Sequence, residues 1–137
     1  MAFISLSNAN ESGYIIANED VPVNEISKSD LSYIFLGNKK FWNNNCRIRA
    51  SYITDKSKTS SIFFNDYVEK AYKKFKRYWL KKIFSGYGSA PISFKNPESL
   101  IDFISNNSGA IGFYIGERPD SNQNIKIIKV DGSELIK

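Results

Sequence analysis

The 137-residue chain is long enough for one domain with a sizeable core, and its 42% hydrophobic and 24% charged residues are ordinary for a globular protein. The absence of histidine and the presence of a single cysteine, Cys46, exclude an intrachain disulfide, a Cys/His zinc site and a nucleophile activated by histidine. The net charge of +5 is unevenly distributed, because residues 70–82 hold seven basic and no acidic residues.

The first nine residues predict a signal-peptide remnant. They are uncharged and end in Ser7-Asn8-Ala9, and small residues at the last and third-last positions are typical of a secretory cleavage site. The apolar residues 2–6 are similar to the end of the apolar region of such a peptide. We therefore expect residues 10–137 to form the mature domain. A frayed N-terminal strand is the alternative.

The hydrophobic pattern predicts strands that alternate with helices. Strands are expected at residues 14–17, 47–53, 110–115 and 125–130. Helices are expected from the capping residue Ser27 to Phe35, from about Thr59 to Phe84 with a break near Ala71, and from Asn96-Pro97 to about residue 106. This order predicts a single α/β domain with a mixed sheet flanked by helices.

The stretch 47–67 contains the candidate binding site. It consists of a strand, a turn and a helix, and the turn carries hydroxyl and ammonium groups on Lys56, Ser57, Lys58, Thr59, Ser60 and Ser61. A helix start leaves backbone N–H groups unpaired, and the helix dipole adds partial positive charge there, so an anion site is one interpretation. The other is that Ser57 or Thr59 only caps the helix while the lysines are solvated.

The basic segment predicts an amphipathic helix. Tyr72, Phe75, Trp79 and Ile83 share one stripe, and the lysines fill the opposite side. Basic residues among aromatics can bind nucleic acid or anionic lipid, but these aromatics have the spacing of core residues. We therefore predict a solvated helix that does not bind nucleic acid at near-physiological salt.

Four blocks, in this order, carry a resemblance to a known family. They are residues 30–37 (Asp-Leu-Ser-Tyr-Ile-Phe-Leu-Gly), 41–42 (Phe-Trp), 78–86 (Tyr-Trp-Leu-Lys-Lys-Ile-Phe-Ser-Gly) and 108–113 (Ser-Gly-Ala-Ile-Gly-Phe). From about residue 16 to 115 the chain resembles the short, single-lobe relatives of the periplasmic phosphate-binding proteins of bacterial ABC importers. The resemblance implies a single periplasmic-binding-protein-like α/β lobe, with a mixed, mainly parallel sheet, and a periplasmic or otherwise exported location.

The resemblance also implies a ligand site. Full-length members hold phosphate between two lobes, partly through an Arg-x-x-Gly-Ser-Gly-Thr loop at a helix start, and residues 54–59 correspond to this loop. Ser57 and Thr59 match its hydroxyls, whereas the arginine and both glycines are replaced. The candidate anion-binding residues are therefore Lys56, Ser57, Thr59 and Ser60, with phosphate or a similar small anion as the ligand.

A single lobe would leave that ligand half enclosed. A second copy in a homodimer, an ABC permease or an envelope protein could close the site. We expect no enzymatic activity, cofactor or metal, because the sequence has no paired-carboxylate motif and no activated nucleophile. The alternative function is a non-catalytic envelope protein-interaction module on the same fold, without a small-molecule ligand.

Overall fold

The computed structural model describes residues 12–86, 88–120 and 123–137. The strands are β1 (Gly13–Asn18), β2 (Glu25–Ile26), β3 (Arg49–Ile53), β4 (Ile92–Phe94), β5 (Ala110–Ile115), β6 (Ile125–Val130) and β7 (Leu135–Ile136). The α-helices are α1 (Lys28–Phe35), α2 (Lys58–Ile62), α3 (Tyr72–Phe84) and α4 (Pro97–Asn106), and α2 continues into a π-helical segment, Phe63–Val68. The predicted signal-peptide remnant, residues 1–9, lies outside the described residues.

The strands form one mixed sheet in the order β2-β6-β1-β5-β3-β4, with β7 also paired to β1. Strand β1 is antiparallel to β5, β6 and β7, whereas β3 is parallel to β4 and β5, and β2 is parallel to β6. Among the described strands, parallel and antiparallel pairings are therefore equally frequent. The predicted α/β fold with a mixed sheet flanked by helices is confirmed. The expectation of a mainly parallel sheet is not, because the central strand β1 is antiparallel to all three of its partners.

The core lies on the two central strands. Every residue of β1 and β5 is buried, as expected for near-continuous apolar strands covered on both faces. The ring of Phe63 stacks on that of Phe113 in β5, with centroids 4.0 Å apart, and meets Phe35 and Phe64 edge-on at 5.1 and 5.0 Å. Aromatic contacts thus join the π-helical segment to both the sheet and α1.

Helix α3 is fixed against the end of α1. The indole Nε1 of Trp79 donates to the carbonyl of Phe35 at 2.9 Å, and the Tyr78 hydroxyl donates to the carbonyl of Leu36 at 2.6 Å. Lys82 Nζ adds a third bond to Leu36 O at 3.2 Å, so α3 supplies donors to carbonyls that α1 leaves unpaired. Ile83, expected in the buried stripe, is instead 48% exposed, because α3 continues for a turn past its last buried residue, Trp79.

The buried side chain of Tyr52 is expected to make the folded state less stable at alkaline pH. Tyr52 in β3 is surrounded by the rings of Phe64, Tyr72 and Phe75, with centroids 5.5 to 6.0 Å away. Burial raises the pKa of Tyr52 far above its usual value of about 10, and a hydrogen bond with Tyr72 raises it further. The stabilisation is therefore fully present below pH about 10 and is lost as the pH rises toward the folded-state pKa.

We expect Tyr52→Phe to reduce the alkaline loss of stability. Wild type should lose about 1 kcal/mol more of its free energy of unfolding than Tyr52→Phe between pH about 9 and about 11. Urea denaturation at the two pH values measures this difference. Tyr33→Phe, at a side chain that is 51% exposed, is the control and should follow wild type. Identical pH dependence in wild type and Tyr52→Phe would contradict the expectation.

Candidate functional site

The predicted strand, turn and helix are present as β3, residues 54–57 and α2. Ser57 is the N-cap of α2, and its Oγ accepts a hydrogen bond from the backbone N–H of Ser60 at 3.2 Å. The carbonyl of Ser57 accepts from Ser61 N at 3.2 Å, and the backbone N–H of Ser57 donates to the carboxylate of Asp55. The capping role that the sequence allowed for Ser57 is therefore confirmed.

These bonds reduce the number of backbone N–H donors that the start of α2 has available for an anion. Two of its N–H groups are already bonded, one to the Asp55 carboxylate and one to the Ser57 hydroxyl. The hydroxyl of Ser57 retains its own O–H for donation, because a serine oxygen accepts and donates at the same time. Asp55 adds a negative charge that opposes an anion. The bond from Ser57 N to Asp55 is an Asx-turn, in which an aspartate side chain accepts from the backbone N–H two residues later. Such turns are common for aspartate, so the sequence alone indicates this one.

The four predicted residues do not all face one space. Lys56 and Ser60 line a cavity of about 370 Å³ beside the turn, which we call the turn cavity. Thr59 lines a separate cavity of about 290 Å³ together with Gly13 and Ile136. Its Cγ2 lies 2.7 Å from the position that a Cβ would occupy at Gly13. Thr59 thus packs against β1, while Ser57 caps α2 and lines neither cavity.

The turn cavity combines cationic, hydroxyl and aromatic groups. It is lined by Ile53, Thr54, Asp55, Lys56, Ser60, Ser61, Phe64, Asn65, Ala71, Tyr72 and Lys73. Two lysines therefore accompany one carboxylate, and the serines and Asn65 provide neutral hydrogen-bonding groups. Thr54 holds the rim in place, because its N and Oγ1 both donate to the carbonyl of Phe94, at 2.8 and 3.0 Å. The arrangement suits a small polar anion better than a cation.

Lys73, which lines the turn cavity, lies in the first turn of α3, after the π-helical segment. The segment is followed by its capping residue Glu69, whose φ of +68° turns the chain, and α3 begins at Tyr72. The expected break near Ala71 is confirmed, because Ala71 is the N-cap of α3. Single π-helical turns are frequent at functional sites. Sequence reasoning missed Lys73 and Asn65 because no spacing rule predicts how the chain turns at a π-helical segment.

Two further features, a metal-ion cluster and a membrane-spanning helix, are absent from the described ranges. No group of three or more cysteine, aspartate or glutamate residues in 12–86, 88–120 and 123–137 is arranged to hold a metal ion. In the same part of the chain, every helix is too short or too polar to span a membrane.

Comparison with known proteins finds similarity only in three dimensions. No family model and no curated protein matches the chain. Among solved structures, a phosphate ABC transporter substrate-binding protein from Clostridium perfringens, with bound phosphate, matches at a TM-score of 0.67 and 18% identity, over 92% of this chain and 47% of that one. PstS from Borrelia burgdorferi gives a TM-score of 0.66 and 16% identity, over 91% and 49%. An ABC-type phosphate transport receptor from Vibrio cholerae gives 0.56 and 15%, over 91% and 48%.

These matches confirm the resemblance at the level of the fold. The chain has the fold of phosphate ABC transporter substrate-binding proteins over about 90% of its own length. It spans about half the length of each of them.

Proposed function

We propose that the chain is a non-enzymatic solute-binding domain that holds phosphate or a similar small oxyanion in the turn cavity. The observation that carries the proposal is the convergence of Lys56, Lys73 and Ser60 on one cavity beyond the carboxyl end of β3. Ligands of open α/β sheets bind at such strand ends. The fold is that of proteins named for phosphate transport, one of which holds phosphate.

The proposed site is weak in the monomer. Phosphate must shed water, and a half-open cavity replaces that water with few donors. The Asp55 carboxylate beside the helix start opposes the anion, and lysines lack the bidentate fork of the arginine in the family loop. We expect a dissociation constant of ~0.1–10 mM, equivalent to about 3–5 kcal/mol. Closure by a second copy or by a partner protein would tighten binding.

An NMR titration with phosphate and sulfate tests the proposal. We expect shifts at residues that line the turn cavity, and at least about tenfold weaker binding in Lys56→Gln with Lys73→Gln, because two charges near the ligand are lost. Asp55→Asn should bind about fivefold tighter, because a like charge is removed. Lys58→Gln is the matched control, since Lys58 lines the neighbouring cavity and its loss should leave binding nearly unchanged.

The titration also tests the four residues that the sequence predicts to bind the anion, Lys56, Ser57, Thr59 and Ser60. Ser57→Ala with Thr59→Ala removes the α2 cap, so its effect on affinity must be compared with its effect on stability. Ser60→Ala keeps the cap and removes a hydroxyl that belongs to the turn cavity. If saturating phosphate and sulfate shift no signal at the turn cavity, in monomer or dimer, the ligand proposal fails.

The second candidate is a non-catalytic interaction module on the same fold. The observation that favours it is that two backbone N–H groups at the start of α2 are already bonded within the chain, to the side chains of Asp55 and Ser57. Fewer donors are therefore left for a small-molecule ligand. Export and coupling to an ABC permease or an envelope protein are proposals as well. They rest on the predicted signal-peptide remnant and on transport proteins of which this chain spans about half.

A further inference from the structure

Three large apolar side chains project from the last turns of α3. Leu80 is 57% exposed, Ile83 48% and Phe84 83%, and we call these residues the α3 tip. Helix α3 is buried only through Phe75 and Trp79, on the side that contacts the rest of the domain. An apolar cluster of this kind on a surface commonly marks an interaction site.

Three cations share the outward side of the helix with the α3 tip. Lys74, Arg77 and Lys81 follow the i, i+3 and i+7 spacing of one helix face, and all three are exposed. We call them the outer cations. Within the described part of the chain, their side chains make no hydrogen bond or ion pair. By contrast, Lys82 is bonded to Leu36 O, and Lys73 lines the turn cavity.

The charged residues of α3 and of the residues next to it in sequence are all basic. Residues 70–86 contain no aspartate or glutamate, so no carboxylate of this segment offsets the outer cations. The helix that presents them is held in place by the Trp79 and Tyr78 bonds to the end of α1. A fixed helix therefore presents apolar side chains and unpaired positive charge together.

We propose that this face of α3 docks on an anionic lipid surface. The helix would lie in the plane of the interface, with the outer cations at lipid phosphates and with Leu80 and Phe84 at the boundary between headgroups and acyl chains. A fluid layer of anionic headgroups complements flexible cations that have no fixed partner, and the acyl boundary accepts the apolar residues. This proposal is independent of the turn cavity, whose lining includes none of these residues.

A lipid surface fits this face better than nucleic acid does. Single-stranded nucleic acid binds through aromatic side chains that stack on its bases, in addition to phosphate contacts. The α3 aromatics that could stack in a row, Phe75 and Trp79, are buried. Phe84 is a single exposed ring next to aliphatic side chains, which suits insertion between headgroups.

Co-sedimentation of the 137-residue chain with vesicles tests the proposal. We expect binding to phosphatidylcholine vesicles that contain about 30% phosphatidylglycerol, and no measurable binding to pure phosphatidylcholine, at about 0.1 M NaCl. Lys74→Gln, Arg77→Gln and Lys81→Gln combined should lower the partition constant about 100-fold. Leu80→Ser with Phe84→Ser should lower it at least about tenfold.

Matched controls distinguish the effect of this face of α3 from the effects of net charge and of exposed apolar residues in general. Lys95→Gln, Lys129→Gln and Lys137→Gln remove the same charge from exposed positions elsewhere and should change the constant less than about threefold. Phe41→Ser removes a ring that is 51% exposed in a loop and should have no effect. Circular dichroism verifies that each variant is folded.

Three results would overturn the proposal. The first is equal binding to anionic and neutral vesicles, or binding that the α3 variants do not weaken. The second is a homodimer at micromolar concentration that Leu80→Ser with Phe84→Ser dissociates, which would assign the face to a second copy. The third is sub-micromolar binding of an oligonucleotide at near-physiological salt that is lost in the triple charge variant.

Discussion

Gly109→Ala is expected to lower the free energy of unfolding by about 2–5 kcal/mol. Gly109 has a φ of +78°, in the left-handed region, where a non-glycine residue costs about 1–2 kcal/mol. A Cβ at this position would overlap the carbonyl oxygen of Arg47 and approach Cys46 Sγ to 2.9 Å, and overpacking adds about 1–3 kcal/mol. The obstacle is backbone rather than a flexible side chain, so it cannot move aside without disturbing the start of β3.

The hydrogen bonds of Gly109 make this displacement costly. Its carbonyl accepts from the Trp42 indole at 3.0 Å and from Arg49 N at 3.2 Å, and its N–H donates to Asp20 at 3.2 Å. Urea denaturation measures the change. Gly86→Ala is the matched control, since Gly86 has a φ of +79° but no atom within 4 Å of the added methyl, so only the backbone cost remains. Equal losses in the two variants would contradict the predicted clash.

Local signals were enough to predict most of the elements. Ser27 caps α1 by accepting from Asp30 N at 3.0 Å, and Asn96 caps α4 by accepting from Ser99 N at 2.8 Å, with Pro97 in the first turn. Such caps lie within three residues of the groups they bond, so they can be recognised in the sequence alone. Continuous apolar runs predicted β1 and β5 for the same reason.

Short strands and the direction of individual side chains could not be predicted. Strands β2 and β7 have two residues each and β4 has three, and they exist because of partners distant in sequence. The division of Thr59 and Ser60 between two cavities depends on where β1 packs against α2. The same applies to the candidate site, since Lys73 is separated in sequence from the turn by α2 and the π-helical segment and yet lines the turn cavity.

Phe63→Ala is expected to lower the free energy of unfolding by about 3–5 kcal/mol, the usual cost of removing a fully buried phenylalanine. Phe63 is 0% exposed, and its ring stacks on Phe113 with an interplanar angle of 8°. It begins the π-helical segment between Ser60 and Asn65, two lining residues of the turn cavity. Loss of the ring should therefore also increase the amide hydrogen-exchange rates of residues 60–72 by a larger factor than those of β1.

A double-mutant cycle with Phe113→Ala tests whether the stacked pair produces this effect. We expect a coupling energy of about 0.5–1.5 kcal/mol for the two rings, beyond the cost of each cavity. Phe84→Ala is the control, because a side chain that is 83% exposed should change stability by no more than about 0.5 kcal/mol. If the stability losses of Phe63→Ala and Phe113→Ala are additive, and hydrogen exchange becomes faster to the same extent throughout the domain, then the two rings only fill space and do not couple the turn cavity to the sheet. A measurable coupling energy with faster exchange confined to residues 60–72 would instead show that the Phe63–Phe113 stack holds the cavity wall against β5.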